Sequence, residues 1–295
     1  MYEFQECRGR LFNTPLLITP IKAHVLADVL ADRASWGRSV KFEDFAPTNV
    51  AASLQNAAPG GPEKVFPETD GVAIIHVRGT LVQRGGLDPY SGMTGYDGIA
   101  TKLDAALHDP NIRAIVLDID SPGGEVAGCF DLADRIFAAR AVKPVWAILN
   151  EMAASAAYAL ASQADQIIMA RTGMAGSVGV VTMHVDWSGA LDKDGVTVTL
   201  IHGGAKKVDA NPYAPLPEGV QASIQAEIDT LHKWFAEIVA RGRDLKVADV
   251  MATEAQTYLG PAAQAVGFVD AVMAPEDGFQ ALLDALAGTP VQVSA

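Results

Sequence analysis

The chain has 295 residues, 49% of them hydrophobic, and its formal net charge is −13 at pH 7. This length is enough for one sizeable α/β domain with additions, and the acidic balance argues against general affinity for nucleic acid. Its two cysteines, Cys7 and Cys129, are too few for a disulfide framework and are expected to be free thiols. Charged residues among the first ten, without an apolar run, predict no secretory leader. No stretch reaches the ~20 apolar residues of a membrane span.

Three regions and a tail are predicted along the chain. Residues 1–45 are interpreted as a partly helical N-terminal extension, with a helix expected over residues 21–33. Residues 46–69 contain many prolines and glycines and are interpreted as a flexible linker. Strand and helix patterns alternate over residues 70–274, which is typical of βαβ units and a parallel sheet. Residues 275–295 are interpreted as a C-terminal tail.

Short apolar runs mark the predicted strands of the third region. These strands are expected at residues 72–77, 112–119, 144–149, 166–170, 178–183 and 196–201. Helices are expected near residues 94–108, 125–140, 153–163 and 185–194. A long helix is predicted from Glu218 to Arg243 because apolar side chains recur there on one stripe. That stripe is expected to pack on the core or on a neighbouring subunit.

The most informative residue is Ser155, which follows an apolar strand candidate and precedes an alanine-rich helical run. A hydroxyl at such a turn lies near the positive end of a helix, where backbone N–H groups lack partners. That environment suits the stabilisation of an oxyanion, and small neighbours leave room for an acyl group. The alternative is that Ser155 is only a small packing residue.

Residues 121–124 read Ser-Pro-Gly-Gly and follow the strand candidate at 112–119. Two glycines at a strand-to-helix turn allow positive φ and bring backbone N–H groups close to a ligand. Such groups can hold the oxyanion of a tetrahedral intermediate. An ordinary βα turn is the alternative interpretation.

Lys206 and Lys207 lie just beyond the strand candidate at 196–201. A lysine can act as the base for a serine when burial disfavours its ammonium form. Most lysines are solvated surface charges instead. Spacing in the sequence does not show that either lysine reaches Ser155.

Four segments occur in the order seen in the signal peptide peptidase A family of serine peptidases, which the chain resembles. They are residues 121–124, residues 152–157 (Met-Ala-Ala-Ser-Ala-Ala), residues 176–179 (Gly-Ser-Val-Gly) and residues 204–209 (Gly-Ala-Lys-Lys-Val-Asp). Residues 258–270 look like the closing segment of the family, in which a helix leads to a last short strand. The resemblance covers about residues 70–274. It implies an α/β fold of the Clp protease/crotonase type and a Ser/Lys catalytic pair.

Carried over residue by residue, the resemblance makes Ser155 the nucleophile and Lys207 the general base, with Lys206 the less favoured choice. The backbone N–H groups of Gly124 and Ala156 become the oxyanion donors, and Gly123 shapes their turn. Ser177 lies in a segment that the family places near the active site, so its hydroxyl is expected to support the lysine by a hydrogen bond. Neither a metal nor another cofactor is expected.

The chain resembles one branch of the family in particular, the capsid-maturation proteases of tailed phages and prophages. Residues 13–20 (Asn-Thr-Pro-Leu-Leu-Ile-Thr-Pro) and 208–216 carry this resemblance. It implies a serine endopeptidase that cleaves capsid or scaffold proteins, assembles as a homo-oligomer, and works in the host cytoplasm or the immature phage head. No nucleic-acid partner and no membrane anchor are expected. A host peptidase that degrades soluble peptides is the alternative within the same chemistry.

Other chemistries remain open from the sequence. A Ser-His-Asp triad needs a histidine beside the serine, and the six candidates are His24, His76, His108, His184, His202 and His232. An acyl-CoA enzyme of the crotonase type would use paired N–H groups on a thioester enolate, with Glu125 as its base. A catalytically inactive assembly scaffold would need neither Ser155 nor a lysine. Zinc is disfavoured because neither a His-Glu-x-x-His run nor paired cysteines occur.

Overall fold

The computed structural model describes residues 15–19, 65–85 and 92–288. Within these residues, ten strands form one mixed sheet and helices pack on it. The strands are β1 (Leu16–Ile18), β2 (Glu68–Thr69), β3 (Val72–Val82), β4 (Met93–Gly95), β5 (Ala114–Glu125), β6 (Val145–Ala154), β7 (Gln166–Met169), β8 (Met174–Gly176), β9 (Thr257–Leu259) and β10 (Ala271–Val272). The helices are α1 (Tyr96–His108), α2 (Cys129–Ala139), α3 (Ala156–Ala161), α4 (Ser188–Lys193), α5 (Glu218–Arg243), α6 (Val247–Met251), α7 (Gly260–Ala265) and α8 (Pro275–Leu286), with a 3-10 turn at Ala205–Val208.

The central part of the sheet is parallel. Its strands lie in the order β10-β7-β6-β5-β3-β2, and all neighbours from β10 to β3 run in the same direction. Helices α1, α2 and α3 connect successive strands, because parallel neighbours need a crossover connection. Antiparallel pairs occur at β1 with β5, β2 with β3, and β8 with β9. The predicted α/β class with repeated βαβ units is confirmed.

The two faces of the sheet carry separate cores. Ile75, Leu117 and Leu149 point into the main core, together with side chains from α1, α2, α3 and the second half of α5. Val116 belongs to a smaller core on the other face, which Leu282 of α8 covers. This alternation follows from the period of two in a strand. Each buried aliphatic side chain contributes about 1.5–3 kcal/mol to folding.

Most predicted elements are present, but three strands run well beyond their predicted ends at residues 77, 119 and 149, β3 to Val82, β5 to Glu125 and β6 to Ala154. Helices α1, α2 and α3 fall within the predicted ranges, and α5 has the predicted bounds of Glu218 and Arg243. In α5, the side chains of Phe235 and Ile238 reach the core, while Ile224 and Ile228 in the first half are only half-buried. The helix-to-strand ending predicted for residues 258–270 appears as α7 followed by β10.

Two predicted strands are wrong. Residues 178–183 form no strand and make only an isolated bridge, between Val181 and Leu16. Residues 196–201 are exposed coil although their side chains alternate in polarity. A strand requires a neighbour for its backbone N–H and C=O groups, and no described strand lies beside this segment.

The Ser-Pro-Gly-Gly motif is a third difference. It was expected at a strand-to-helix turn, whereas β5 continues through Gly124 to Glu125 and the turn follows at Val126 to Gly128. The strand continues because two partners pair with it there: β3 on one side, through Leu81, and β1 on the other, through Leu17. Gly124 is required at this point, since a Cβ would collide with the Leu81 backbone.

Several predictions lie outside the described residues. These include the helix at 21–33, most of the linker at 46–69, and most of the N-terminal extension. The boundaries at residues 45, 69 and 274 stay predictions. The first part of the tail predicted at 275–295 is the helix α8, which packs on the sheet. None of the described helices is long and apolar enough to cross a membrane.

Candidate active site

Ser155 occupies the turn between β6 and α3 in a backbone conformation that serine rarely adopts. Its φ is 56° and its ψ is −120°. A positive φ places the Cβ of an L-residue in steric conflict, so it persists only where the surrounding structure enforces it. Sharp turns of this kind, between a strand and a helix, present the nucleophile in many serine hydrolases.

The surroundings of Ser155 hold its backbone and leave its side chain unengaged. The Ser155 N–H donates to the Gly176 carbonyl at the end of β8 (2.7 Å), and the Ala159 N–H donates to the Ser155 carbonyl (2.9 Å). The residue is fully buried, and its Oγ has no hydrogen-bond partner among the described residues. A buried hydroxyl without a partner costs about 1–3 kcal/mol. Such a group calls for an explanation, and a waiting catalytic role is one.

The end of β5 that contains Gly123 and Gly124, called the glycine strand below, borders this turn. Gly123 has φ of +104°, and a Cβ there would lie 3.0 Å from the Ser155 Cβ. Its N–H donates to the Ser121 Oγ (3.1 Å), and that hydroxyl donates to the Gly79 carbonyl (2.6 Å). The Gly123 N–H is therefore already engaged inside the turn. Gly123 shapes the site through its backbone conformation.

Ala156 begins α3 directly after Ser155. The first N–H groups of a helix have no partner within the helix and carry partial positive charge. The small side chains of Ala153, Ala154 and Ala157 surround this turn and are all fully buried. The turn can therefore hold a negatively charged oxygen beside Ser155, which is the chemistry of an oxyanion hole.

The predicted base does not contact the serine in this structure. Lys206 and Lys207 lie on the exposed 3-10 turn at Ala205–Val208. Ser177 does lie near Ser155, because it directly follows Gly176, whose carbonyl accepts the Ser155 N–H. It is 5% exposed, and its own N–H donates to the Gln256 carbonyl (3.0 Å). Its φ of 56° equals that of Ser155.

Four of the five histidines that the structure describes have other hydrogen-bond partners. The Nδ1 of His76 lies 2.5 Å from the Asp118 carboxylate, and the Nε2 of His184 lies 3.1 Å from the Asn211 carbonyl. His202 contacts the Gly204 carbonyl at 3.0 Å. His108 contacts the Asp104 carbonyl, and the buried Nε2 of His232 has no partner in the described part of the chain. None of these five is hydrogen-bonded to the Ser155 Oγ; His24 lies outside the described residues.

Glu125, the alternative acyl-CoA base, has a structural role. Its carboxylate accepts a hydrogen bond from the Gln83 N–H (2.7 Å), and its carbonyl accepts one from the Tyr96 hydroxyl (2.7 Å). The residue is buried. These contacts tie the end of β5 to β3 and α1.

One element near the site was not predicted as part of it. The strand β1 lies along residues 123–125 of β5, with Leu16, Leu17 and Ile18 all buried. The sequence holds a signal for it, the apolar run between Pro15 and Pro20, which lies in a segment that resembles the family. Its partners are more than a hundred residues away, so local pattern could not pair them.

Comparison with known proteins places the chain in a family. The profile of Peptidase family S49 matches residues 138–287, which include Ser155, Ser177 and both lysines. The resemblance found in the sequence is thereby confirmed at the level of the family.

Two phage proteins align with nearly the whole chain. The head-tail preconnector protein GP5 of Enterobacteria phage P21 is 40% identical over 295 residues, covering 96% of this chain and 59% of that protein. The capsid assembly protease C of Escherichia phage lambda is 39% identical over 282 residues, covering 93% of this chain and 64% of that protein. The chain thus spans less than two thirds of the length of these relatives.

More distant matches include a bacterial protease and a solved structure. Protease 4 of Haemophilus influenzae is 31% identical over 208 residues, covering 68% of this chain and 32% of that protein. A ClpP1 mutant of Listeria monocytogenes aligns with a TM-score of 0.44 and 13% identity, covering 70% of this chain and 93% of that chain.

Proposed function

Because the chain belongs to peptidase family S49, we propose that it is a serine endopeptidase in which Ser155 is the nucleophile and Lys207 the general base. The observation that carries the proposal is the Oγ of Ser155, which is buried, has no hydrogen-bond partner among the described residues, and is held at positive φ beside Gly123. This state supports a catalytic role, because none of the described residues gives the hydroxyl a structural one.

In the proposed reaction, the Ser155 Oγ attacks a peptide carbonyl while Lys207 takes the hydroxyl proton. The N–H groups of Gly124 and Ala156 bind the oxyanion that forms. Lys207 then gives the proton to the leaving amine, and a water activated by the same lysine releases the acyl group from Ser155. Ser177 is proposed to orient the lysine, and Lys206 is the alternative base.

The proposal requires Lys207 to approach Ser155 from its exposed position. Lys207 lies on the segment of residues 196–208, in which no residue is buried. This segment exposes large apolar side chains, notably Val198, Leu200 and Ile201, the last 96% exposed. Exposed apolar side chains in a row are typical of an interface between proteins. We propose that the chain acts as a homo-oligomer, in which contacts to this segment bring a lysine to the serine.

The proposed substrates are capsid or scaffold proteins. This rests on the two phage relatives, one of which is named a capsid assembly protease, and on the extent of the alignment to this chain. Action in the host cytoplasm or the immature head is part of the same proposal. Degradation of other soluble peptides is the alternative substrate class.

Covalent labelling tests the nucleophile. Purified wild type, Ser155→Ala and the control Ser223→Ala, which changes an exposed helix serine, are incubated with a fluorophosphonate for up to a day and examined by intact mass and peptide mapping. Local unfolding occurs on timescales of microseconds to seconds, and the long incubation gives the buried Ser155 many openings in which to react. We expect one adduct, on Ser155, in wild type and Ser223→Ala only. An adduct on another residue, or equal labelling of folded Ser155→Ala, contradicts the proposal.

Cleavage of casein and of phage capsid protein tests the base. Loss of a general base costs about 10²–10⁴ in rate, so we expect that loss in Lys207→Ala and little change in Lys193→Ala, which alters another exposed lysine. Loss in Lys206→Ala with an active Lys207→Ala would move the base by one position. An acyl-CoA enzyme or an inactive scaffold predicts no Ser155-dependent cleavage of any protein.

A further inference from the structure

The strand β1 lies in a groove that two distant segments form. On one side it pairs antiparallel with β5, where Leu16, Leu17 and Ile18 stand opposite Glu125, Gly124 and Gly123. On the other side it bridges to Val181. The three residues are at most 7% exposed. A short extended segment of the chain thus fills a slot between two backbone edges.

The backbone contacts of β1 define which groups face the glycine strand. The N–H and C=O of Leu16 both bond to Val181, at 2.8 and 3.0 Å, and the Thr19 N–H donates to the Pro122 carbonyl at 3.1 Å. Successive residues of a strand direct their backbone groups to opposite sides. The N–H and C=O of Leu17 therefore face Gly124, which is the proposed oxyanion donor.

The carbonyl of Leu17 also lies close to the proposed nucleophile. A Cβ built on Gly123 would overlap the Leu17 carbonyl oxygen, and the same Cβ would lie 3.0 Å from the Ser155 Cβ. Leu17 and Ser155 therefore approach Gly123 at the same point. The carboxyl end of β1 is its nearer end, because Ile18 pairs with Gly123 and Leu16 pairs with Glu125.

We propose that β1 occupies the binding site of the substrate strand, with its Leu17 carbonyl in the position of the carbonyl that the enzyme attacks. This inference rests on the proposed peptidase function and adds to it the binding mode and side-chain preference. Substrates would bind by strand addition, in which backbone bonds give affinity and side-chain pockets give specificity. They must displace residues 15–19, which act as a competitor built into the chain.

The side-chain preference follows from the environment of Leu17. Its side chain is fully buried and belongs to the main core, together with Leu81 and Val178. A charged side chain at this position would lose its hydration without a partner. The site therefore selects extended segments with a large aliphatic residue just before the attacked bond.

A cavity extends the groove beyond the N-terminal end of β1. It has a volume of about 560 Å³, and Pro15 and Val181 line it together with Leu216, Ile224 and Ile228. Its lining is partly apolar and partly polar. The cavity would accommodate further residues on the N-terminal side of a substrate. The groove is thus longer than the part that β1 fills.

Peptide binding in a Ser155→Ala background tests the proposal without requiring catalysis. The probe is a fluorescein-labelled peptide with the sequence of residues 13–21, and binding is followed by anisotropy. Leu17→Asp in the chain weakens β1, and Thr19→Pro removes one backbone donor while leaving the buried side chains unchanged. We expect both variants to bind the probe more tightly than Ser155→Ala alone, by at least tenfold for Leu17→Asp.

Two controls make the result specific. Val142→Asp introduces the same charge at a residue 64% exposed and should leave binding unchanged. A probe with aspartate in place of the central leucine should not bind any variant. Circular dichroism and thermal melting establish that each variant is folded, and Thr19→Pro keeps the test decisive if Leu17→Asp fails to fold.

The outcomes separate this proposal from the proposed function. If folded β1 variants bind the probe no better than the parent, or if the aspartate probe binds equally, β1 is a permanent structural strand and the proposal is overturned. Tighter binding by the two β1 variants than by their Ser155→Ala parent, together with no fluorophosphonate adduct in wild type, would support the strand site and contradict the peptidase. In a chain that keeps Ser155, Leu17→Asp is expected to increase the rate of fluorophosphonate labelling several-fold.

Discussion

The Ser155 N–H donates to the carbonyl of Gly176, and this contact fixes the turn that carries Ser155 to the end of β8. Gly176 has φ of +118°, and a Cβ there would lie 2.7 Å from the Gln256 carbonyl oxygen. The same strand pairs with β6, which leads into Ser155. The position of Ser155 therefore depends on a glycine 21 residues further along the chain.

Gly176→Ala is expected to destabilise the protein by about 1–3 kcal/mol, the usual cost of a residue held in an unfavourable backbone region. It should also slow fluorophosphonate labelling of Ser155, because the carbonyl that holds the turn must move. Urea unfolding and labelling rates measure the two effects. The matched control is Gly189→Ala in α4, where a Cβ meets nothing within 4 Å; it should be neutral or slightly stabilising. Equal behaviour of the two variants would contradict this role of Gly176.

Ser121→Ala tests the support of the glycine strand. The hydroxyl of this fully buried serine donates to the Gly79 carbonyl and accepts from the Gly123 N–H. Removal of the hydroxyl takes this hydrogen-bond partner from both backbone groups. We expect a loss of about 1–3 kcal/mol in stability and a lower kcat. Ser223→Ala, an exposed helix serine, should change stability by less than about 0.5 kcal/mol. A Ser121→Ala variant with unchanged stability and kcat would exclude this supporting role.

Asp118→Asn tests the polar cluster on β3, β5 and β6. Burial raises the pKa of Asp118, but hydrogen bonds from His76 and Arg78 and the charge of Arg78 outweigh it and bring the pKa below its ordinary value. The folded state thus favours the carboxylate. Its contribution to stability is fully present above about pH 4 and is lost as the pH falls through the lower folded pKa.

The expected result is a loss of about 1.5–3 kcal/mol in Asp118→Asn near neutral pH, the value of hydrogen bonds to a charged group. The difference from wild type should shrink below pH 4 in urea titrations. Asp104→Asn, at a half-exposed pair with Arg135, should lose no more than about 1 kcal/mol. A pH-independent difference between wild type and Asp118→Asn would contradict this account.

Cys129 is expected to be unreactive in the folded protein. Burial raises the pKa of its thiol to about 12, and the charge of Asp131 adds to this, while a hydrogen bond with Tyr96 acts in the opposite direction. Its Sγ–H donates to the Ala156 carbonyl. Since only the thiolate is a nucleophile, iodoacetamide at pH 8 should not modify it until urea unfolds the chain.

A Cys7→Ser background removes the other thiol from this measurement, so that mass spectrometry reports Cys129 alone. Because the pKa of the Cys129 thiol is higher in the folded protein than in the unfolded chain, the stability depends on pH. An unfolded thiol ionises near pH 8.5, so stability from Cys129 is complete below that pH and decreases as the pH rises toward 12. Rapid alkylation of the native protein would show that the thiol is accessible.

The candidate site was predicted in parts. The apolar run at 144–149 predicts the strand before Ser155, and the alanine-rich run at 156–161 predicts the helix after it. The turn between strand and helix lies at Ser155, as the sequence predicts. The glycine motif was identified too, but its place inside β5 was not, because that depends on pairing with β1 and β3. Likewise, the alternation at 196–201 predicts a strand, whereas none of the described strands lies beside it.

The sequence by itself determined the α/β class and the long helix α5, because periodicity records which side chains face a core, and it marked Ser155 as the candidate nucleophile. Only the tertiary structure decided that β1 lies against Gly123 and Gly124, that the buried Ser155 Oγ has no partner in the part of the chain that the structure describes, and that Lys207 is exposed. These are relations between segments distant in the chain. They depend on backbone edges and on loop closure, which no local pattern of residues encodes.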